Sequence, residues 1–80
     1  MKARITVMPK RTVLDPQGKA VKHALESLGF REVRDVRIGK FLEVDLDTGD
    51  METARRLVDN ACQQLLSNPV IEEYRFEITP

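Results

Sequence analysis

The chain has 80 residues with a single cysteine and a single histidine, which allows one domain with a thin core and excludes both an internal disulfide and a cysteine–histidine zinc cluster. Thirteen Lys and Arg balance thirteen Asp and Glu, and the aromatics are only Phe30, Phe41, Tyr74 and Phe76. The basic face and stacking rings expected of a nucleic-acid binder are therefore lacking.

No apolar run approaches the roughly 20 residues of a membrane span, and "MKARITVMPK" lacks the apolar centre of a signal peptide. The expectation is a soluble cytoplasmic protein. A domain of this size buries roughly 60% of its unfolded surface, and such chains often gain stability by self-association. The balanced charge is unevenly placed. Residues 1–40 hold ten basic and four acidic side chains, a net +6, and residues 41–80 hold three and nine, a net −6. Opposite charges are expected to meet within one folded domain, and the sharper alternative is that the halves also pair between chains.

The elements follow in order. Ala3, Ile5 and Val7 alternate with Arg4, Thr6 and Met8, a period of two that predicts a strand ended by Pro9. Asp15-Pro16 then opens a helix. The Asp15 carboxylate can accept from the free amides of the first turn, and proline fits the first helical position. Val21, Ala24, Leu25 and Leu28 continue at helical spacing, and Gly29 can take the positive φ of a helix stop, so the helix covers about residues 16–28.

The middle segment, "EVRDVRIGKFLEVDLD", has two readings. Gly39-Lys40 invites a two-residue hairpin, but that register mixes apolar and charged residues on both faces. Read without a turn, Val36, Ile38, Leu42, Val44 and Leu46 fall on one face, broken only by Lys40. A strand over 33–47 would run roughly 50 Å at about 3.3 Å per residue, against about 20 Å for the first helix. One copy cannot cover it; two copies sharing a sheet could. The hairpin instead gives a βαββαβ, ferredoxin-like monomer.

A second helix is written by Ala54, Leu57, Val58, Ala61, Cys62, Leu65 and Leu66 at spacings of three and four, capped by Asp50 or Thr48 and closed by Ser67-Asn68-Pro69. Cys62 lies in the stripe and is expected to pack rather than react. The last strand alternates Tyr74, Phe76 and Ile78 with Glu73, Arg75 and Glu77. The expected fold is α+β, a ferredoxin-like-related sheet with two helices on one face, completed by strand sharing or segment exchange in a dimer. Residues 1–80 form one domain.

No catalytic set emerges. Gly18-Lys19 imitates the end of a phosphate-binding loop, but Val13 stands where that motif needs glycine and Ala20 where it needs Ser or Thr. Lys10, Arg11 and Lys19 lie near this helix entry, yet Asp15 already caps it, so "LDPQG" reads as helix-entry chemistry. His23 has no nucleophile beside it in any recognisable motif, and the carboxylates are scattered rather than grouped for a metal. No catalytic, cofactor-binding or metal-ligating residue is assigned.

Three stretches carry a resemblance: "PKRTVLDPQGKAV", "VRIGKFLEVDL" and "LLSNPVIEEYRFEI". In that order, over essentially the whole chain, they resemble PurS, the small subunit of phosphoribosylformylglycinamidine synthase. The resemblance implies an accessory role in purine biosynthesis. The chain, as a homodimer or homotetramer, would bridge a large synthetase subunit and a glutaminase subunit and support ammonia transfer between them. ATP, Mg and glutamine would be used by the complex, with no cofactor held here. Matched onto this sequence, the candidate partner-facing residues are Pro9, Lys10, Asp15, Gln17, Gly18, Arg37, Gly39, Lys40, Asn68 and Pro69, with Leu14 and Pro16 beside them. Lys40, the lone charge in its apolar row, is expected where two copies meet or exit, the alternative being an ordinary loop lysine. The alternative functions are a free-standing regulatory domain that binds a small molecule and, more remotely, a small phosphatase-like enzyme using the loop before the first helix.

Overall fold

A computed structural model describes residues 1–80. Its centre is β1 (Lys2–Pro9), whose odd-numbered residues Ala3, Ile5 and Val7 are fully buried. On one side β1 pairs antiparallel with β2 (Lys40–Asp45), on the other with β3 (Glu72–Thr79), giving the order β2-β1-β3. The register sets Ile5 between Leu42 and Phe76, and Val7 between Lys40 and Tyr74. Because side chains alternate between faces, one face collects Ala3, Ile5, Val7, Leu42, Val44, Tyr74, Phe76 and Ile78, and the other collects Lys2, Arg4, Glu43, Arg75 and Glu77 together with the exposed Phe41.

The apolar face is covered by α2 (Met51–Ala61), which buries Ala54 and Val58, and by Cys62 just beyond it. Asp50 caps this helix through bonds from the Thr53 N–H at 3.1 Å and the Thr53 hydroxyl at 2.5 Å. The helix does not stop at Ala61. Residues Cys62–Leu66 widen into a π-helical turn, closed by the Ser67 N–H and hydroxyl, which both donate to the Cys62 carbonyl at 3.0 and 2.9 Å. The extra residue in the turn shifts the side-chain phase. Leu66 turns partly inward and Leu65 is 81% exposed, so the expected stripe continues through Leu66 only. Leu57, also in that stripe, is 48% exposed.

The helix α1 (Pro16–Ser27) forms where it is expected, with Asp15 as cap, Pro16 at its first turn and Gly29 at φ 98° after its end. Of two helices expected on one face, α2 is seated on the sheet, while α1 stands clear of its own chain's sheet. Only Gly18 of α1 is buried. Leu14, Val21, Leu28 and Phe30 around it are exposed. The molecule is correspondingly long, 49 × 25 × 14 Å with a radius of gyration of 16.1 Å, whereas a compact chain of this length has about 12 Å.

The hairpin expected as one alternative at Gly39-Lys40 does not form. Lys40 already pairs with Val7 as the first residue of β2, and residues 33–39 run without a ladder partner in the chain. The long strand is also not formed within one copy, since only its second half, Lys40–Asp45, is paired. The arrangement is α+β and ferredoxin-like in its order of elements, lacking in the single chain the strand that would follow α1.

Candidate functional site

The residues singled out from the sequence gather at one end of the sheet. There β1 ends, α1 begins, the crossing segment 36–39 returns, and the turn before β3 passes. Asp15 ties two of these together. One carboxylate oxygen accepts from the Gly18 N–H at 3.0 Å and the other from the Ile38 N–H at 2.8 Å. These amides hold the Asp15 carboxyl below its ordinary value, the Gly18 bond first and the Ile38 bond second. The helix-entry reading of "LDPQG" is thus what the geometry shows, with a second role added: the cap also fastens the far end of the excursion.

Two glycines make that fastening possible. A Cβ on Gly18 would collide with the Val36 carbonyl oxygen and lie 2.7 Å from an Asp15 oxygen. One on Gly39 would collide with the Val7 carbonyl oxygen and the Met8 sulfur. Backbone lies directly against backbone at both places, which only glycine permits.

Arg37 completes the junction. Its guanidinium donates to the Pro9 carbonyl and stands 3.6 Å from the Glu73 carboxylate. Its Nε is buried without a hydrogen-bond partner. A cleft lined by Pro9, Lys10, Asp15, Lys19, Asp35 and Arg37 opens beside it.

Lys10 connects the last pair. Its N–H donates to the Ile71 carbonyl at 2.8 Å, and Ile71 belongs to the Asn68-Pro69 turn. Asn68 organises that turn: its side-chain oxygen accepts from Val70, its carbonyl from Ile71 and Glu72, and its N–H donates to the Glu72 carboxylate at 2.7 Å. Asn68 and Pro69 are themselves exposed, as are Gln17 and Lys40. Val70 beside them is 78% exposed. Pro9, Lys10, Asp15, Gly18, Arg37 and Gly39 therefore build the junction, whereas Gln17, Lys40, Asn68 and Pro69 present side chains to the outside.

Two contacts of this region were not foreseen in the sequence. Glu73 partners Arg37 across 36 positions, and nothing local announces it. The Tyr74 hydroxyl donates to Asp59 at 2.6 Å and accepts from Gln63 at 2.8 Å, clamping β3 to α2 and its π-turn. The spacing of Asp59 and Gln63, four apart on one helix face, is the only sequence signal for it. The Asp59 bond and then burial raise the Tyr74 phenol above its ordinary value. All three ion pairs, Lys2–Glu43, Arg4–Glu43 and Arg37–Glu73, join the basic first half to the acidic second half, so the halves do meet within one chain.

Fold and junction together define a small ferredoxin-like α+β chain, its three-stranded body carrying a helical arm fastened at both its ends to one end of the sheet. Residues 2–80 match the family model PurS, phosphoribosylformylglycinamidine (FGAM) synthase. The chain is 48% identical over 77 residues to the FGAM synthase subunit PurS of Bacillus subtilis, covering 96% of this chain and 90% of that one. It is 50% identical over 76 residues to that of Synechocystis, covering 95% and 76%. Among solved structures, a crystal form of B. subtilis PurS superposes with a TM-score of 0.87 at 46% identity, covering 99% and 98%. A chain from the structure of PurLQS from Thermotoga maritima superposes with a TM-score of 0.85 at 33% identity, covering 95% and 93%. The chain belongs to the PurS family.

Proposed function

We propose that this chain is the small accessory subunit of FGAM synthase in purine biosynthesis, joining a synthetase subunit to a glutaminase subunit and supporting ammonia transfer between them. The observation that carries this reading is the end-to-end likeness to the PurS chain of a PurLQS assembly. On this reading ATP, Mg and glutamine are used by the larger subunits in the cytoplasm. This chain contributes surfaces: Gln17, Lys40, Asn68 and Pro69 face partners, and the junction beneath them sets their positions.

It works as a homodimer, or a homotetramer built from dimers, in which copies exchange the segment 10–40. Three features support the exchange. The apolar residues around α1 are uncovered, β2 has an open edge, and residues 33–39 have no ladder partner of their own. Their alternation through Val36 and Ile38 suits them to the β2 edge of a second copy. Lys40 stands where the exchanged segment rejoins its own sheet. Reconstitution tests the function. Glutamine-dependent amidine formation by the two larger subunits is expected to require this chain, and full activity without it would overturn the reading. Lys40→Ala is expected to weaken assembly; unchanged mass and unchanged activity would remove Lys40 from the interface.

A further inference from the structure

The charge asymmetry of the sequence becomes more specific once the fold is known. Let the arm be residues 10–40 and the body residues 1–9 with 41–80. The arm holds eight basic and four acidic residues, a net +4, and the body five and nine, a net −4. Only Arg37 among the arm's basic residues finds a carboxylate in the chain. Arg11, Lys19, Arg31, Arg34 and Lys40 are exposed and outside any ion pair, and so are Asp45, Asp47, Glu52 and Glu77 on the body.

The arm cannot neutralise its own body. The Gly39–Val7 approach, Arg37 on Pro9 and Glu73, and the Lys10 N–H on the Ile71 carbonyl hold the arm's two ends at the sheet end, and Asp15–Ile38 with the Gly18–Val36 approach lock α1 to the returning segment 36–38. Swinging α1 back over its own sheet would break this set together. A second copy can present its body to the arm without disturbing any of them.

We propose that the basic arm is drawn onto the acidic body of a second copy by complementary charge. Apolar contact from Leu14, Val21, Leu28 and Phe30 supplies the affinity, while charge supplies the orientation and the encounter rate. This rests on the dimer reading above and adds its regulation: self-association is sensitive to ionic strength although each chain is neutral overall. Neutral chains do not attract at long range, so the effect comes from the separation of charge along a 49 Å molecule.

The test is the dimer dissociation constant of the full chain by sedimentation across a dilution series, at low and high salt. From about 0.05 to about 0.5 M NaCl it is expected to rise about tenfold, as screening shortens the reach of the charges. Two double variants separate this from a general effect of net charge: Arg31→Glu with Arg34→Glu on the arm, and Arg55→Glu with Arg56→Glu on the body. All four positions are exposed, and each pair shifts the chain by the same −4. The arm pair is expected to weaken the dimer about tenfold, while the body pair leaves it as strong or stronger. Equal weakening by both pairs, or a constant unmoved by salt, overturns the proposal while leaving the dimer in place. A monomer at every concentration and salt overturns the dimer reading instead. Helix content by circular dichroism confirms that the variants are folded, and the wild-type salt series stands without them.

Discussion

Consider Gly39→Ala. The added methyl would press into the Val7 carbonyl oxygen and the Met8 sulfur, with the Val7 carbonyl carbon 3.2 Å away. The thioether can swing aside. The carbonyl cannot, because Val7 is fully buried in the central strand and paired on both sides. Overpacking costs about 1–3 kcal/mol, and a backbone neighbour places this case at the top of that range. An 80-residue domain holds about 4–12 kcal/mol in total, so about 3 kcal/mol is a large share. With a urea slope of about 1.5 kcal/mol/M for a small domain, the midpoint is expected to fall by about 2 M. The assay is urea unfolding at one fixed chain concentration, since self-association would otherwise move the midpoint. Gly49→Ala is the control. Nothing lies within 4 Å of its would-be Cβ, and its φ is not positive, so it should be neutral or stabilise by about 0.4–1 kcal/mol. Equal midpoints for the two variants would refute the argument that backbone proximity, rather than loop flexibility, is why glycine stands at 39.

Three further outcomes are expected. Asp15, with its carboxyl held low by Gly18 and Ile38, contributes stability that is complete above the unfolded carboxyl value of about 3.9 and is lost as pH falls through the lower folded value. Asp15→Asn should therefore lower stability at pH 7 and flatten its decline below about pH 4, and an acid limb identical to wild type would exclude the assignment. Tyr74 is the only tyrosine in a chain without tryptophan, so alkaline titration at 295 nm reads it alone. Its ionisation is expected above about pH 10 and should return toward that value in Asp59→Asn, whereas a curve insensitive to Asp59 would remove the clamp. Cys62 is fully buried, and burial followed by the nearby Asp59 charge pushes its thiol up. A thiol reagent should therefore label it only at the rate of unfolding, and prompt labelling of native protein would show the core open at α2.

What the sequence disclosed, it disclosed through local rules. Asp15-Pro16 and Gly29 set the limits of α1 because capping and positive φ involve neighbouring residues only. Ala3, Ile5 and Val7, then Tyr74, Phe76 and Ile78, declared their buried faces because alternation is a property of each strand by itself. Pattern stopped helping where distant segments meet. Gly39-Lys40 looked like a turn because glycine's turn preference is visible locally, whereas the Val7 backbone that requires it is 32 positions away. Asp15 was legible as a cap but not as the partner of Ile38, and Arg37 not as the partner of Pro9 and Glu73. The π-turn escaped because Leu65 and Leu66 continue the apolar spacing, and the Ser67 bonds that widen the helix add nothing to that periodicity. The candidate partner-facing residues came from resemblance. Their convergence at one end of the sheet is structural information that spacing along the chain did not contain.

The uncovered α1 also bears on the life of the protein in a cell. On the proposed exchange, a twelve-residue helix whose apolar side chains its own chain leaves uncovered ties the stability of each copy to the supply of others, because whatever covers it stabilises by mass action. A copy made in surplus keeps Leu14, Val21, Leu28 and Phe30 in water. Exposed apolar side chains of this kind mark a chain for chaperones and proteases. If copies assemble as proposed, abundance is corrected without a dedicated regulator: assembled copies persist, and unassembled ones are removed at a rate set by their own fold.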